Sequence, residues 1–192
     1  MKKEIFYTLC SRIFDCLNSD EQLTLFLEGE DSQYFRFNDS KLRQSGIIED
    51  FNLTLSLYKK NKCLQSMTTI SADLDSSVRT IIKEIDVLRS SFNATPPNDN
   101  IVFPDKFGSV EVNALGNLPE RDNILDSLMG IIDKNTLTGV WSSGKIFRGC
   151  CASNGTKHWF EKDSFLFDFS LIDRNENMVK ILYPHSNWNE SE

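Results

Sequence analysis

The stretch FNLTLSL, residues 51–57, decides the fold of this chain. Phe51, Leu53, Leu55 and Leu57 alternate strictly with polar residues. Because successive side chains of a strand point to opposite faces of its sheet, this pattern predicts a strand with one buried face and one face in water.

Neighbouring segments add further strands to this one. The polar run YKKNK (58–62) predicts a hairpin tip, and CLQSMTTI (63–70) predicts the returning strand. Upstream, LTLFLEGE (23–30) and QYFRFN (33–38) predict two more strand segments, with a turn at Asn38-Asp39. Since no helix interrupts these four candidates, a mainly antiparallel or mixed sheet is expected.

Three other segments carry apolar side chains at the spacing of an amphipathic helix. The stripes are Phe6, Leu9, Cys10, Ile13 and Leu17 in the first, Val78, Ile81, Ile82, Ile85 and Leu88 in the second, and Ile124, Leu125, Leu128, Ile131 and Ile132 in the third. Asp73 is placed to cap the second helix, and Pro119 marks the start of the third. The predicted fold class is α/β (α+β), with these helices packed on the sheet.

The last part of the chain returns to strands. GVWSSGKIFRGCCAS (139–153) and KHWFEKDSFLFDFSLI (157–172) flank Asn154-Gly155, a strong hairpin-turn signal. The Ser-, Asn- and Pro-rich stretch around Pro96-Pro97 is the best linker candidate. We therefore expect an N-terminal domain over 1–92, an irregular segment over 93–117, and a helix plus hairpin over 118–192, which continues the first domain or forms a second one.

Composition excludes several classes of function. The formal net charge of −7 disfavours direct nucleic-acid binding, and the dense basic cluster at Lys59, Lys60 and Lys62 is expected to be a solvated hairpin tip. No apolar run reaches the roughly 18 residues of a membrane span, so no membrane association is expected. The five cysteines form no C-x-x-C pair, which favours a reducing, cytoplasmic setting.

One pair of residues is a candidate for nucleophilic catalysis. A two-residue turn at Asn154-Gly155 would place Cys151 opposite His158 on the same face of the hairpin. An imidazolium beside a thiol lowers the thiol pKa, so a thiol-dependent enzyme using Cys151 and His158 is one alternative. Against it, cross-strand neighbours usually pack without chemistry, and no third group is available to orient the histidine.

Other chemistry finds less support in the sequence. His158 and His185 are the two histidines of the chain, and neither is followed by glutamate, so no metal ligand is expected here. No phosphate-binding glycine motif occurs. Asp168 is a further candidate, because it lies on the face of its strand that is opposite to the phenylalanines. The simplest interpretation is that it is a solvent-facing carboxylate.

The chain resembles the TldD/PmbA family, which includes the modulators of DNA gyrase. The segment from Tyr34 to Asp75 is similar to the opening domain of that family, although FNLTLSL stands where the family has a glycine-rich strand. Matching positions there are Arg36, Phe37, Asn38, Leu42, Gln44, Thr68 or Thr69, and Asp73. The second half of the chain is more similar to the family, and it is most similar to the PmbA-like branch. The matching positions in this half are Gly139, Gly144, Arg148, Gly149, Ser153, Gly155, Trp159, Phe165, Asp168, Ser170, Lys180 and Trp188.

The resemblance implies a protease system in which one type of subunit carries a zinc motif, H-E-x-x-x-H. This chain lacks that motif, so it is expected to be inactive alone and to hold no zinc, which would lie in a partner subunit or in a missing C-terminal region. The expected partners are a TldD-like zinc-bearing subunit or further copies of this chain, together with unfolded peptide. We expect the chain to be an N-terminal part or a short form of such a protein, which contributes to subunit assembly and guides unfolded peptides. The alternative is a truncated interaction module that binds no peptide.

Overall fold

The computed structural model describes residues 3–120, 123–132, 136–173 and 175–189. Within these ranges the chain forms three helices and seven strands. In chain order they are α1 (Lys3–Phe14), β1 (Gln22–Asn38), β2 (Lys41–Lys59), β3 (Lys62–Thr69), α2 (Leu74–Ser91), β4 (Ser109–Ala114), α3 (Ile124–Ile132), β5 (Thr136–Ala152), β6 (Lys157–Ile172) and β7 (Met178–His185).

The described strands form one antiparallel sheet in the order β3-β2-β1-β5-β6-β4, and β7 also pairs with β6. The β2–β3 hairpin runs from Asn52 opposite Thr69 to Lys59 opposite Lys62. Strand β7 lies along the second half of β6, from Phe165 opposite His185 to Ile172 opposite Met178. The predicted fold class is therefore confirmed. The two strand segments predicted before Asp39 are one continuous strand, β1.

The described part of the chain forms two compact units, each built from three separate segments. The described residues of unit 1 lie within 1–29, 50–112 and 147–160, and those of unit 2 lie within 30–49, 113–146 and 161–192. This division differs from the linear boundaries expected at residues 92 and 117, because β1, β2, β5 and β6 each contribute residues to both units. Strand β4 also lies inside the segment that was expected to be irregular.

The core of unit 1 lies between helices α1 and α2 and one face of the sheet. Leu53, Leu55 and Leu57 are fully buried, as their alternation predicts. The apolar stripes of α1 and α2 cover them, since Phe6, Leu9, Ile13, Ile81 and Ile85 belong to the same buried cluster. Burying such side chains is the main favourable term in folding, so this layer holds unit 1 together.

The start of α2 is fixed by a cap and an ion pair. The Asp73 carboxylate accepts a hydrogen bond from the Ser76 N–H at 2.6 Å, which satisfies one of the free donors in the first helical turn. The Arg12 guanidinium lies 2.7 Å from the Asp75 carboxylate and so joins α1 to the same turn. The N-terminus of this helix is therefore where the sequence predicts it.

The core of unit 2 is aromatic. Trp141 is fully buried and stacks on Phe165 with ring centroids 4.6 Å apart, while Trp188 meets it edge-on at 5.0 Å. Ile124 and Leu128 of α3 close this cluster. Within the described residues, no helix has the length and apolarity that a membrane span requires.

Candidate functional site

The turn between β5 and β6 contains three residues instead of the two that the sequence predicts. The Ala152 N–H donates to the Thr156 carbonyl at 3.0 Å, and the Gly155 N–H donates back to the Ala152 carbonyl at 2.9 Å. Gly155 has a φ of +96°, a conformation that glycine adopts without strain. Asn154-Gly155 therefore makes the predicted turn, but the extra loop residue pairs Ala152 with Thr156.

This shift separates the two residues of the proposed dyad. Cys151 is fully buried and belongs to the same core cluster as Trp159. Because side chains alternate along a strand, His158 points to the opposite face of the sheet from Trp159 and hence from Cys151. The predicted juxtaposition of Cys151 with His158 is wrong, since it rested on a two-residue loop.

Burial governs the chemistry of the cysteines around this hairpin. Cys10 of α1 lies in the same buried cluster as Cys151. Burial, followed by a hydrogen bond with Cys151, raises the pKa of Cys10 well above its usual value. Burial also raises the pKa of Cys150. A raised pKa keeps a thiol protonated and unreactive, so Cys10 and Cys150 behave as small apolar residues.

The hairpin acts instead as an anchor for the chain that precedes β4. The Asn154 side-chain amide donates to the Pro104 carbonyl at 2.9 Å, and the Phe107 N–H donates to the Thr156 hydroxyl at 3.1 Å. On its other side, the Leu23 N–H donates to the Ser153 hydroxyl at 3.1 Å. These contacts account for the turn residues by structure alone.

The remaining candidates have ordinary surroundings. Asp168 is half-exposed and lies 3.3 Å from the Lys180 ammonium, as expected of a solvent-facing carboxylate. The described residues contain no group of three or more histidine, cysteine, aspartate or glutamate side chains that could hold a metal ion.

Unit 2 contains an open cleft of about 450 Å³ that the sequence did not reveal. Its polar side chains come from β1, β5, β6 and β7, and among them are Glu30, Ser142, Lys162, Ser164 and His185. The available signal was the sequence Glu161-Lys162-Asp163 in a strand. Because side chains alternate along a strand, Glu161 and Asp163 point to one face of the sheet, where both carboxylates lie within 4 Å of the Lys145 ammonium. The side chain of Lys162 points to the other face, toward the cleft.

The floor of this cleft depends on a glycine. Gly144 of β5 has a φ of +155°, and a Cβ built there would lie 2.3 Å from the Asp31 carbonyl oxygen and 2.5 Å from the Ser32 Cα. No side chain fits such a space, so the backbone itself lines the cleft at this point.

Strand β7 has an edge on which no described strand is paired, since its recorded partner is β6. Its side chains are mostly exposed, including Met178 (67%), Val179 (56%) and Leu182 (59%). Exposed apolar side chains on an unpaired edge are typical of a surface that receives another strand.

The chain is similar to known proteins in structure, and no sequence match accompanies that similarity. No protein-family model matches the sequence, and no curated protein matches it. A proposed modulator of a DNA gyrase from Thermotoga maritima is similar over 96% of this chain and 45% of its own, with 13% identity and a TM-score of 0.62. TldE from Thermococcus kodakarensis is similar over 97% and 43%, with 8% identity and a TM-score of 0.60.

A proposed modulator of DNA gyrase from Bacteroides thetaiotaomicron is similar over 95% of this chain and 43% of its own, with 13% identity and a TM-score of 0.58. The chain thus spans less than half the length of these three neighbours. At such low identities the similarity establishes the fold. The chain has the TldD/PmbA-like fold that its sequence resemblance predicts.

Proposed function

We propose that this chain is a non-catalytic part of a TldD/PmbA-like protease system, where it guides unfolded peptides and contributes to subunit assembly. Zinc and peptide-bond cleavage belong, in this proposal, to a TldD-like partner subunit or to a region beyond this sequence. The fold supports the choice of system, and the surface of unit 2 supports the role in binding peptide.

The observation that carries the proposal is the open edge of β7. An extended peptide can add to such an edge through main-chain hydrogen bonds, which do not depend on the peptide's sequence. Val179 and Leu182 are exposed beside that edge and supply apolar contacts that an unfolded chain offers in return. A binding mode of this kind suits a protein that receives many unfolded substrates.

Peptide guidance without cleavage also agrees with the side-chain chemistry. The sequence contains no H-E-x-x-x-H. The thiol alternative loses its geometric basis because Cys151 and His158 lie on opposite faces of the sheet.

The peptide-binding role is tested with a double variant, Val179→Lys with Leu182→Lys, and a fluorescein-labelled unfolded peptide. Lysines on an edge strand oppose the addition of another strand, so the variant should bind the peptide at least about tenfold more weakly. The control is Val87→Lys on α2, which places a lysine at a similarly exposed valine (59%) in unit 1. Equal binding by the double variant and wild type would contradict the proposal.

The assembly role needs a separate measurement. Native mass spectrometry of the chain mixed with a zinc-bearing TldD-like subunit should detect a defined complex containing both. Observation of the two proteins only as separate species, over the concentration range in which the zinc-bearing subunit itself is stable, would contradict this part of the proposal.

A further inference from the structure

Three of the polar side chains that line the cleft of unit 2 are hydrogen-bond donors with no partner among the described residues. Within the described residues, Lys162, Ser142 and Ser164 have side chains that form no hydrogen bond or ion pair. His185 accepts a hydrogen bond at Nδ1 from the Asn187 N–H at 2.9 Å, so the proton of its neutral ring lies on Nε2. These groups can donate to a bound ligand, which calls for an acceptor with more than one oxygen.

The one carboxylate of the cleft is already engaged. Glu30 accepts a hydrogen bond from the Ser32 hydroxyl, and it faces the cleft from β1 while Lys162 faces it from β6. Strand β5 lies between β1 and β6, so the two charges stand on opposite walls. With one positive and one negative charge, the cleft is better suited to a single negative charge than to a dianion such as phosphate.

Part of the lining is apolar. Ile146, Leu166 and Pro184 contribute carbon surface beside the donors. A volume of about 450 Å³ is within the range of pockets that hold small molecules, and it accommodates a terminal residue of a peptide with its side chain. A carboxylate next to an apolar group is the chemistry of the last residue of a peptide.

We propose that this cleft binds the α-carboxylate of a peptide's C-terminal residue, with Lys162 as its ion-pair partner and the apolar wall receiving the terminal side chain. Pro184 and His185 belong both to the cleft and to the end of β7, so the cleft continues the edge on which the peptide is proposed to lie. This inference rests on the proposed function and gives the bound peptide a defined end.

The experiment compares two fluorescein-labelled unfolded peptides of one sequence, one ending in a free leucine carboxylate and the other in leucine amide. Fluorescence anisotropy should give at least about tenfold tighter binding of the acid. Lys162→Met should remove this preference. Lys41→Met is the matched control, because Lys41 is an exposed lysine of unit 2 that lies outside the cleft lining and away from β7.

A competition arm separates the sources of a bound anion. N-acetyl-leucine should displace the acid peptide, whereas inorganic phosphate at equal ionic strength should not, and the opposite order would overturn the inference. Equal affinity for acid and amide would also overturn it while leaving peptide guidance intact. If neither peptide bound at all, the proposed function would fail together with it.

Discussion

The guanidinium of Arg89 on α2 donates to both carboxylate oxygens of Glu21, which lies just before β1. The Nη2–Oε2 distance is 2.8 Å and the Nε–Oε1 distance is 3.1 Å, while the Glu21 side chain is only 1% exposed. Asn18 donates to the same carboxylate through its N–H at 3.0 Å. A buried charge with this many donors stabilises the junction that joins α2 to the start of the sheet.

The first prediction concerns pH. Burial alone would raise the pKa of Glu21, but hydrogen bonds from Arg89 and Asn18 outweigh it and lower the pKa from 4.5 to about 2. The folded-state pKa is thus depressed, so this stabilisation is present above pH 4.5 and is lost as the pH falls toward 2. It amounts to about 3 kcal/mol of unfolding free energy.

Urea unfolding of Glu21→Gln at several pH values tests this prediction. The variant should be less stable at pH 7, and its stability should fall less steeply between pH 4.5 and 2 than that of wild type. Glu49→Gln serves as control because Glu49 is exposed and forms no ion pair with the described residues. Parallel pH profiles for wild type and Glu21→Gln would show that the ion pair does not contribute.

The second prediction concerns the core under FNLTLSL. Leu53→Ala should lower the free energy of unfolding by about 2–5 kcal/mol, because Leu53 is fully buried and its removal leaves a cavity. Leu42→Ala on the same strand should change it by no more than about 0.5 kcal/mol, since Leu42 is 41% exposed. Chemical denaturation of both variants provides the comparison. Similar losses would mean that the buried face of β2 is assigned wrongly.

The third prediction concerns Gly144. Gly144→Ala should destabilise unit 2 by about 1–3 kcal/mol, because the added Cβ would lie 2.3 Å from a backbone oxygen that cannot rotate away. Ser142→Ala on the same strand should be nearly neutral, because the Ser142 hydroxyl has no partner among the described residues. Thermal unfolding of both proteins measures the difference. A neutral Gly144→Ala would contradict the close approach of β5 to Asp31.

The fourth prediction concerns thiol reactivity. Iodoacetamide at neutral pH should label Cys16 first, because Cys16 is exposed, whereas Cys10 and Cys151 are buried. Peptide mapping by mass spectrometry gives the order of labelling. Selective early modification of Cys151 would revive the thiol-enzyme hypothesis and contradict the packing described for it.

Local patterns in the sequence predicted part of the fold correctly. Strict alternation in FNLTLSL and the stripe from Val78 to Leu88 depend on local periodicity, which a buried face imposes directly, and both apolar faces were confirmed. The polar face of FNLTLSL was predicted less well, because Ser56 is buried too. The hairpin at Asn154-Gly155 was found, but one additional loop residue moved Cys151 and His158 to opposite faces. A turn signal identifies the turn without fixing its length, and the register depends on that length.

The cleft could not be predicted for a different reason. Its walls come from β1, β5, β6 and β7, and the order of strands in the sheet is set by contacts between distant parts of the chain. Alternation within the predicted strand separates Lys162 from Glu161 and Asp163, but it does not show which strands lie beside Lys162. The compact units likewise combine separate segments, which no composition change along the chain marks.

The account's central claim is that the chain binds unfolded peptide and does not cleave it. The most direct test incubates the chain with a labelled unfolded peptide and added zinc, following binding by anisotropy and peptide integrity by mass spectrometry. The account predicts saturable binding of a peptide that stays intact. Absence of binding, or cleavage that disappears when EDTA is added, would contradict it.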